Sequence, residues 1–155
     1  VPSGSGIPRA LHELIITLPF NNKEVLDKTL RRVGHEIAAI IVEPVCGNAG
    51  LIPPEPGFLE GLRKVATAEG ALLIFDEVVT GFRLGMGGAQ GYFKVKPDLT
   101  VFGKCISGGY PMAGGLGGKR EIMEKLSPAG GVYQAGTLSG NPVAMAAGRR
   151  PRAAT

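Results

Sequence analysis

Two residues in this chain have the types and spacing to do chemistry together. The apolar run Ala71 to Phe75 ends in the carboxylates Asp76 and Glu77, and a second run, Leu99 to Phe102, ends at Gly103-Lys104. Short continuous apolar runs bounded by turn signals suit strands buried on both faces of a parallel sheet. In open α/β sheets, ligands collect beyond the carboxyl ends of such strands. Asp76 and Lys104 would then stand at one rim, an acid beside an amine. That pair is the minimum equipment for holding pyridoxal phosphate: the amine condenses with the aldehyde, and the carboxylate keeps the ring nitrogen protonated. Charges also end strands merely because strands run out into water, and a lone lysine is ordinarily a solvated surface group.

The elements needed to position such a rim can be read along the chain. Val1 to Arg9 is rich in Gly, Pro and Ser and reads as a loop, and Leu14 to Leu18 is a β-prone run stopped by Pro19. Asn21-Asn22 can cap a helix over 23 to 33, with Leu26, Leu30 and Val33 on one face and Gly34 as its stop. Ile37 to Val42 reads as a strand ending at Glu43-Pro44. The segment Val45 to Pro56 holds three prolines and two glycines and is a loop. Pro56-Gly57 starts a helix to Glu69 with a stripe of Phe58, Leu62, Val65 and Ala66, ended by Gly70. Gly81 to Gly91 reads as a glycine-rich loop, Ala113 to Gly118 as a short strand, Arg120 to Leu126 as a short helix, and Asn141 to Gly148 as the start of another. Strand, helix, strand, helix, strand is the order of a parallel α/β sheet.

Composition narrows the classes. The chain has 155 residues, 44% of them hydrophobic and 19% charged, which suits a globular domain with a core. The net charge is +4, but Arg149, Arg150 and Arg152 lie within the last seven residues, so the basic balance is weak support for nucleic-acid binding. Cys46 and Cys105 form no CxxC, which reads as reduced and intracellular, here cytoplasmic. No apolar run approaches 18 residues, so no membrane span is expected. His12 and His35 lack zinc spacing. No phosphate-binding GxxxxGK[ST], dinucleotide fingerprint or GxSxG elbow occurs. The chain opens without Met, and its composition changes abruptly at RRPRAAT. It reads as an internal piece of a longer protein, with 149 to 155 as a truncated or frameshifted end.

The longer motifs carry a resemblance. FDEVVTGFR, followed 28 positions after Asp76 by Lys104 within FGKCISGG, resembles the class III aminotransferases. EPVCGNAGLIPPEPGFLEGLR at 43 to 63, GGAQGYF at 87 to 93 and YQAGTLSGNPVAMAAG at 133 to 148 resemble one branch of that family. That branch isomerises glutamate-1-semialdehyde to 5-aminolevulinate in porphyrin synthesis. The likeness runs from about Asn21 to Gly148.

It implies an α/β fold, with residues 1 to 148 forming part of the large domain of the fold type I architecture, a mostly parallel sheet flanked by helices. The N-terminal segment and C-terminal small domain of that architecture are expected to be absent. It implies pyridoxal 5'-phosphate as cofactor, with the pyridoxamine form in the cycle, a small amino-acid or aldehyde substrate, a diamino intermediate and a homodimer. By the same likeness Lys104 is the Schiff-base lysine and proton carrier, Asp76 the partner of the ring nitrogen and Val78 the contact on the ring face. Thr137 reaches the phosphate of the neighbouring subunit. Many family members have Gln where this chain has Val79. That departure favours the aminomutase branch over ordinary ω-amino acid or β-amino acid transaminases, and it makes Asn48 the polar contact for the ring oxygen. A partial domain of this kind is expected to be nearly inactive alone.

Overall fold

A computed structural model describes residues 6–110 and 114–149. The expected loop over residues 1 to 5, Ala113 of the expected fourth strand, and the basic tail from Arg150 lie outside the described residues. In chain order the structure comprises α1 (Arg9–His12), α2 (Lys23–Val33), β1 (Ala39–Val42), α3 (Phe58–Glu69), β2 (Leu72–Glu77), α4 (Gly88–Phe93), β3 (Leu99–Phe102), β4 (Gly115–Gly118), α5 (Arg120–Met123) and α6 (Pro142–Arg149).

The four strands form one sheet in the order β1-β2-β3-β4. β1, β2 and β3 are parallel, with Val42 opposite Phe75 and Glu77 opposite Phe102, while β4 returns antiparallel to β3. The fold is therefore the α/β class read from the order of elements.

Helix α2 starts where Asn22 caps it, its Oδ1 accepting the Val25 N–H at 2.9 Å. Asn21, at φ 62, ties this corner to the proline-rich loop: its amide donates to the Pro53 carbonyl and accepts the Glu55 N–H, both at 2.9 Å. Helix α3 ends at Gly70, whose φ of 71 is the left-handed cap expected of glycine. Phe58, Leu59, Leu62 and Ala66 of α3 and Leu26 of α2 pack on Leu73 and Phe75 of β2, with Phe20 edge-on to Phe58 at 5.0 Å. This is the core, and it covers one sheet face.

Three expectations change. The strands are not buried on both faces within this chain: Ile41 is 64% exposed and Leu72, Ile74 and Asp76 are half-buried, because α2 and α3 cover only the face that Leu73 and Phe75 occupy. Leu14 to Leu18 is irregular, with Leu14 and Ile15 exposed, since no strand among the described residues pairs with it. The glycine-rich segment 81 to 91 is a loop only to Gly87 and then becomes α4.

Asp98 locks the amino-terminal end of the sheet. Its side chain is buried, accepts the Leu73 N–H at 2.7 Å, and pairs with Arg63 at 2.7 Å and Lys119 at 2.6 Å. Its own N–H donates to the Leu73 carbonyl at 2.8 Å. One carboxylate thus joins α3, β2, β3 and the end of β4. Burial pushes the Asp98 carboxyl upward, but hydrogen bonds from Lys119, the Leu73 backbone and Arg63, with the Arg63 charge, outweigh it and hold the group at about 2.

A depressed carboxyl contributes stability above its unfolded pKa of about 3.9, and that contribution disappears as pH falls through the folded value. Urea unfolding should therefore show a level contribution above about pH 5 that falls by about 2 kcal/mol towards pH 2. Asp98→Ala should cost about 3 kcal/mol at neutral pH, since it strands two cations and a buried N–H, and should flatten the acid limb.

Candidate active site

The parallel register brings the carboxyl ends of β1, β2 and β3 to one rim, where Glu43 follows β1, Asp76 stands next to last in β2 and Lys104 lies just beyond β3. Along β2 the side chains alternate. Leu73, Phe75 and Glu77 are buried on the α3 side, and Asp76 lies on the other, half-covered side. The Asp76 carboxylate is oriented by its own chain, Oδ1 accepting the Val78 N–H at 3.0 Å. Its second oxygen has no hydrogen-bond partner among the described residues.

Lys104 is delivered by a kinked backbone. Gly103 is extended, and a Cβ there would sit 3.2 Å from Val78 Cγ1, so glycine lets Val78 lie against the chain entering Lys104. Lys104 itself has φ 44, in the left-handed region. For a residue with a side chain this costs about 1–2 kcal/mol, and such strain concentrates where side-chain direction matters. A 3-10 turn from Lys104 to Ser107 follows, closed by Gly108 at φ 60. The Ser107 hydroxyl lies between the Lys104 and Tyr110 carbonyls and steadies this turn. The Lys104 side chain is exposed and, among the described residues, unpaired: the ion pairs are His35–Glu36, Arg63–Asp98, Lys119–Asp98 and Arg120–Glu124.

Asn48 lies in an exposed turn after β1, closed by the reciprocal backbone bonds of Cys46 and Ile52. Glu43 Oε2 accepts the Gly47 N–H at 2.9 Å, and a Cβ on Gly47 would meet Val79 Cγ2 at 3.2 Å. The Asn48 turn is therefore seated on the segment that continues from β2. Burial, then the neighbouring Glu43 charge, pushes the Cys46 thiol up. Thr137 is exposed in the turn before α6, whose cap is Asn141, with Oδ1 accepting the Ala144 N–H at 2.9 Å. Thr137 is therefore not at the helix start, and no hydrogen bond joins it to Asp76, Val78 or Lys104 among the described residues. The structure thus brings Asp76, Val78 and Lys104 together, with Asn48 adjoining through Gly47 and Val79, while the turn that carries Thr137 runs into α6, which packs against the turn beginning at Lys104.

Sequence reasoning missed three participants. Asp98 and Glu77 are buried carboxylates most of whose partners lie 12 or more positions away in sequence. Arg83 donates to the Val79 carbonyl at 2.9 Å and to Cys105 Sγ at 3.2 Å, tying the turn after β2 to the turn that begins at Lys104. The one signal for them was a charge set against an apolar run, which a solvated strand end also shows.

An exposed amine, a carboxylate with an unpartnered oxygen and an apolar contact on adjoining strand ends fit a planar, electron-poor aromatic aldehyde. The amine can condense with it, the carboxylate can accept a ring N–H, and Val78 can pack on its face.

Known proteins resemble this chain in sequence and in fold. The family described as Aminotransferase class-III matches residues 3–150. A glutamate-1-semialdehyde 2,1-aminomutase of Methylacidiphilum infernorum is 60% identical over 148 residues, 96% of this chain and 34% of the relative. The solved structure of an omega-transaminase from Sphaerobacter thermophilus superposes with a TM-score of 0.87 at 40% identity, covering 95% of this chain and 34% of that one. A glutamate-1-semialdehyde aminomutase from Pseudomonas aeruginosa PAO1, in complex with PMP, superposes with a TM-score of 0.76 at 30% identity over 96% and 35%. The chain spans about a third of the length of the relatives it matches.

The strain at position 104 yields a test that needs no ligand. Lys104→Gly should raise the unfolding free energy by about 1 kcal/mol, because glycine adopts positive φ without the Cβ penalty. Lys104→Ala, which keeps the Cβ, should leave it nearly unchanged. Chemical denaturation of the three proteins decides it, and equal stability of the glycine and alanine variants would show that no strain resides there.

Proposed function

The chain belongs to the class III aminotransferases, and from that membership we propose that its rim holds pyridoxal 5'-phosphate in an enzyme that isomerises glutamate-1-semialdehyde to 5-aminolevulinate, a step of porphyrin synthesis. The observation that carries the reading is the convergence of Asp76, Val78 and Lys104 on two neighbouring strand ends. When bound, the cofactor supplies an electron sink and a carrier for the amino group.

The chain's own residues do the rest. Lys104 Nζ would anchor the cofactor and, once free, would carry a proton between the cofactor and the substrate carbon, a general acid–base role. The free oxygen of Asp76 accepts the ring N–H and keeps that nitrogen charged. Val78 packs on one ring face, and the Asn48 amide serves the ring oxygen. Val79, lacking any donor, packs on Gly47 and supports the Asn48 turn. Thr137 serves the phosphate of a second subunit. That role makes the working unit a homodimer. Residues 1 to 148 are part of a larger cofactor-binding domain, and the location is cytoplasmic.

A second reading is favoured by one observation: the omega-transaminase structure shares more identity with this chain than the Pseudomonas aminomutase structure does. Under it the rim is unchanged, and the substrates are an ω-amino acid and a 2-oxo acid. Assaying the full-length protein that carries this segment with both substrate sets separates the two.

The rim itself is tested by titrating the purified chain with pyridoxal phosphate and reducing with borohydride. A Schiff-base absorbance band should appear, with the label on the peptide containing Lys104, and both should vanish in Lys104→Ala. Label scattered over surface lysines with Lys104 unmodified would sink the assignment. The 155-residue chain alone should turn over glutamate-1-semialdehyde negligibly, and measurable 5-aminolevulinate formation would refute that expectation.

A further inference from the structure

Glu77 is the buried carboxylate that the proposed chemistry leaves unused. It is 0% exposed at the end of β2, on the face opposite Asp76. No cation pairs with it among the described residues. Its oxygens accept four hydrogen bonds instead: Oε2 from the Ala89 N–H at 2.5 Å and the Thr80 hydroxyl at 3.1 Å, Oε1 from the Gln90 N–H at 3.2 Å and Gln90 Nε2 at 3.1 Å. The local chain is shaped around it. Gly88 has φ 58, and a Cβ there would collide with Glu77 Oε2, so glycine lets the backbone close over the carboxylate. Gln90 Nε2 also donates to the Thr100 hydroxyl on β3 at 3.2 Å.

A buried, unpaired charge is a poor way to stabilise a fold, because an apolar side chain of similar size fills the same space without desolvating an ion. What the carboxylate adds is geometry. Glu77, Gln90 and Thr100 bridge β2 to β3 on the covered face, beside Asp76 on one strand and ahead of Lys104 on the other. We propose that Glu77 is a positioning residue, whose bridge through Gln90 to Thr100 fixes the separation and orientation of the Asp76 and Lys104 strand ends. This rests on reading those two residues as the groups that hold pyridoxal phosphate.

Two near-isosteric variants test it. Glu77→Gln turns one acceptor into a donor facing N–H and O–H groups, and Thr100→Val removes only the far end of the bridge. In chains shown by circular dichroism to be folded, Glu77→Gln should raise the pyridoxal phosphate Kd by roughly 10-fold or more and reduce borohydride trapping at Lys104. Thr100→Val should raise it by about 3-fold, and the double variant should fall short of the product, as expected for members of one network. A residue that merely stabilises the fold would lower the melting temperature and leave Kd and the trapped site unchanged in the folded population. That result overturns the proposal.

Should Glu77→Gln fail to fold, Thr100→Val decides alone, and a Kd equal to wild type overturns it. If the wild-type chain forms no adduct at Lys104, the cofactor reading fails by itself. The bridge is then judged without ligand by hydrogen exchange. Peptides covering residues 99 to 104 should exchange at least about 10-fold faster in Thr100→Val, and unchanged exchange overturns it.

Discussion

The register between β2 and β3 is the constraint on which the rest of this structure depends. Phe75 lies opposite Thr100, Asp76 opposite Val101 and Glu77 opposite Phe102. A slip of one residue would turn Asp76 into the core and Glu77 out to the rim, because side chains alternate along a strand. Both strands are short, so backbone bonds alone specify the pairing weakly. Side chains hold it from each end. Asp98 binds the Leu73 N–H and two cations at the start of the strands, and Glu77 reaches Thr100 through Gln90 near their finish. The core of Leu73 and Phe75 against α3 sets which face is covered.

How much of this could be read in advance depended on whether the cause lay nearby in sequence. Helix α2 and strand β3 match their expected limits because an Asn cap and a Gly-Lys stop are local signals. Helix α3 is bounded by Gly57 and Gly70, both in left-handed conformations that the glycines announce. Helix α4 was hidden, since glycine-rich composition argues for loop and its first turn is capped by a carboxylate 12 residues earlier. Leu14 to Leu18 shows the opposite failure: β propensity without a partner strand makes no strand.

The candidate site divides along the same line. Asp76 and Lys104 could be set on one rim from sequence because strand ends in a parallel sheet converge by construction, whereas Val78 was named only through the family resemblance. Asn48 was placed by its loop, and the contact of Gly47 with Val79 gives a physical reason for its position. Thr137 lies in the turn before α6, and α6 packs on the turn that begins at Lys104, where Gly148 approaches the Ile106 carbonyl. Such placements come from long-range packing that no local pattern encodes.

The two buried carboxylates also divide the molecule into regions with different freedom to diverge. At the Asp98 end every bond joins elements that must meet for the sheet to exist, so changes there are lost as unfolded chains. At the rim the neighbours of Asp76 and Lys104 are turns: Val45 to Pro56, Val78 to Gly87 and Gly108 to Tyr110. Those turns can be rewritten while the strand ends stay fixed. A sheet anchored from behind in this way lets descendants acquire new substrates by changing turns, with the reacting pair inherited intact.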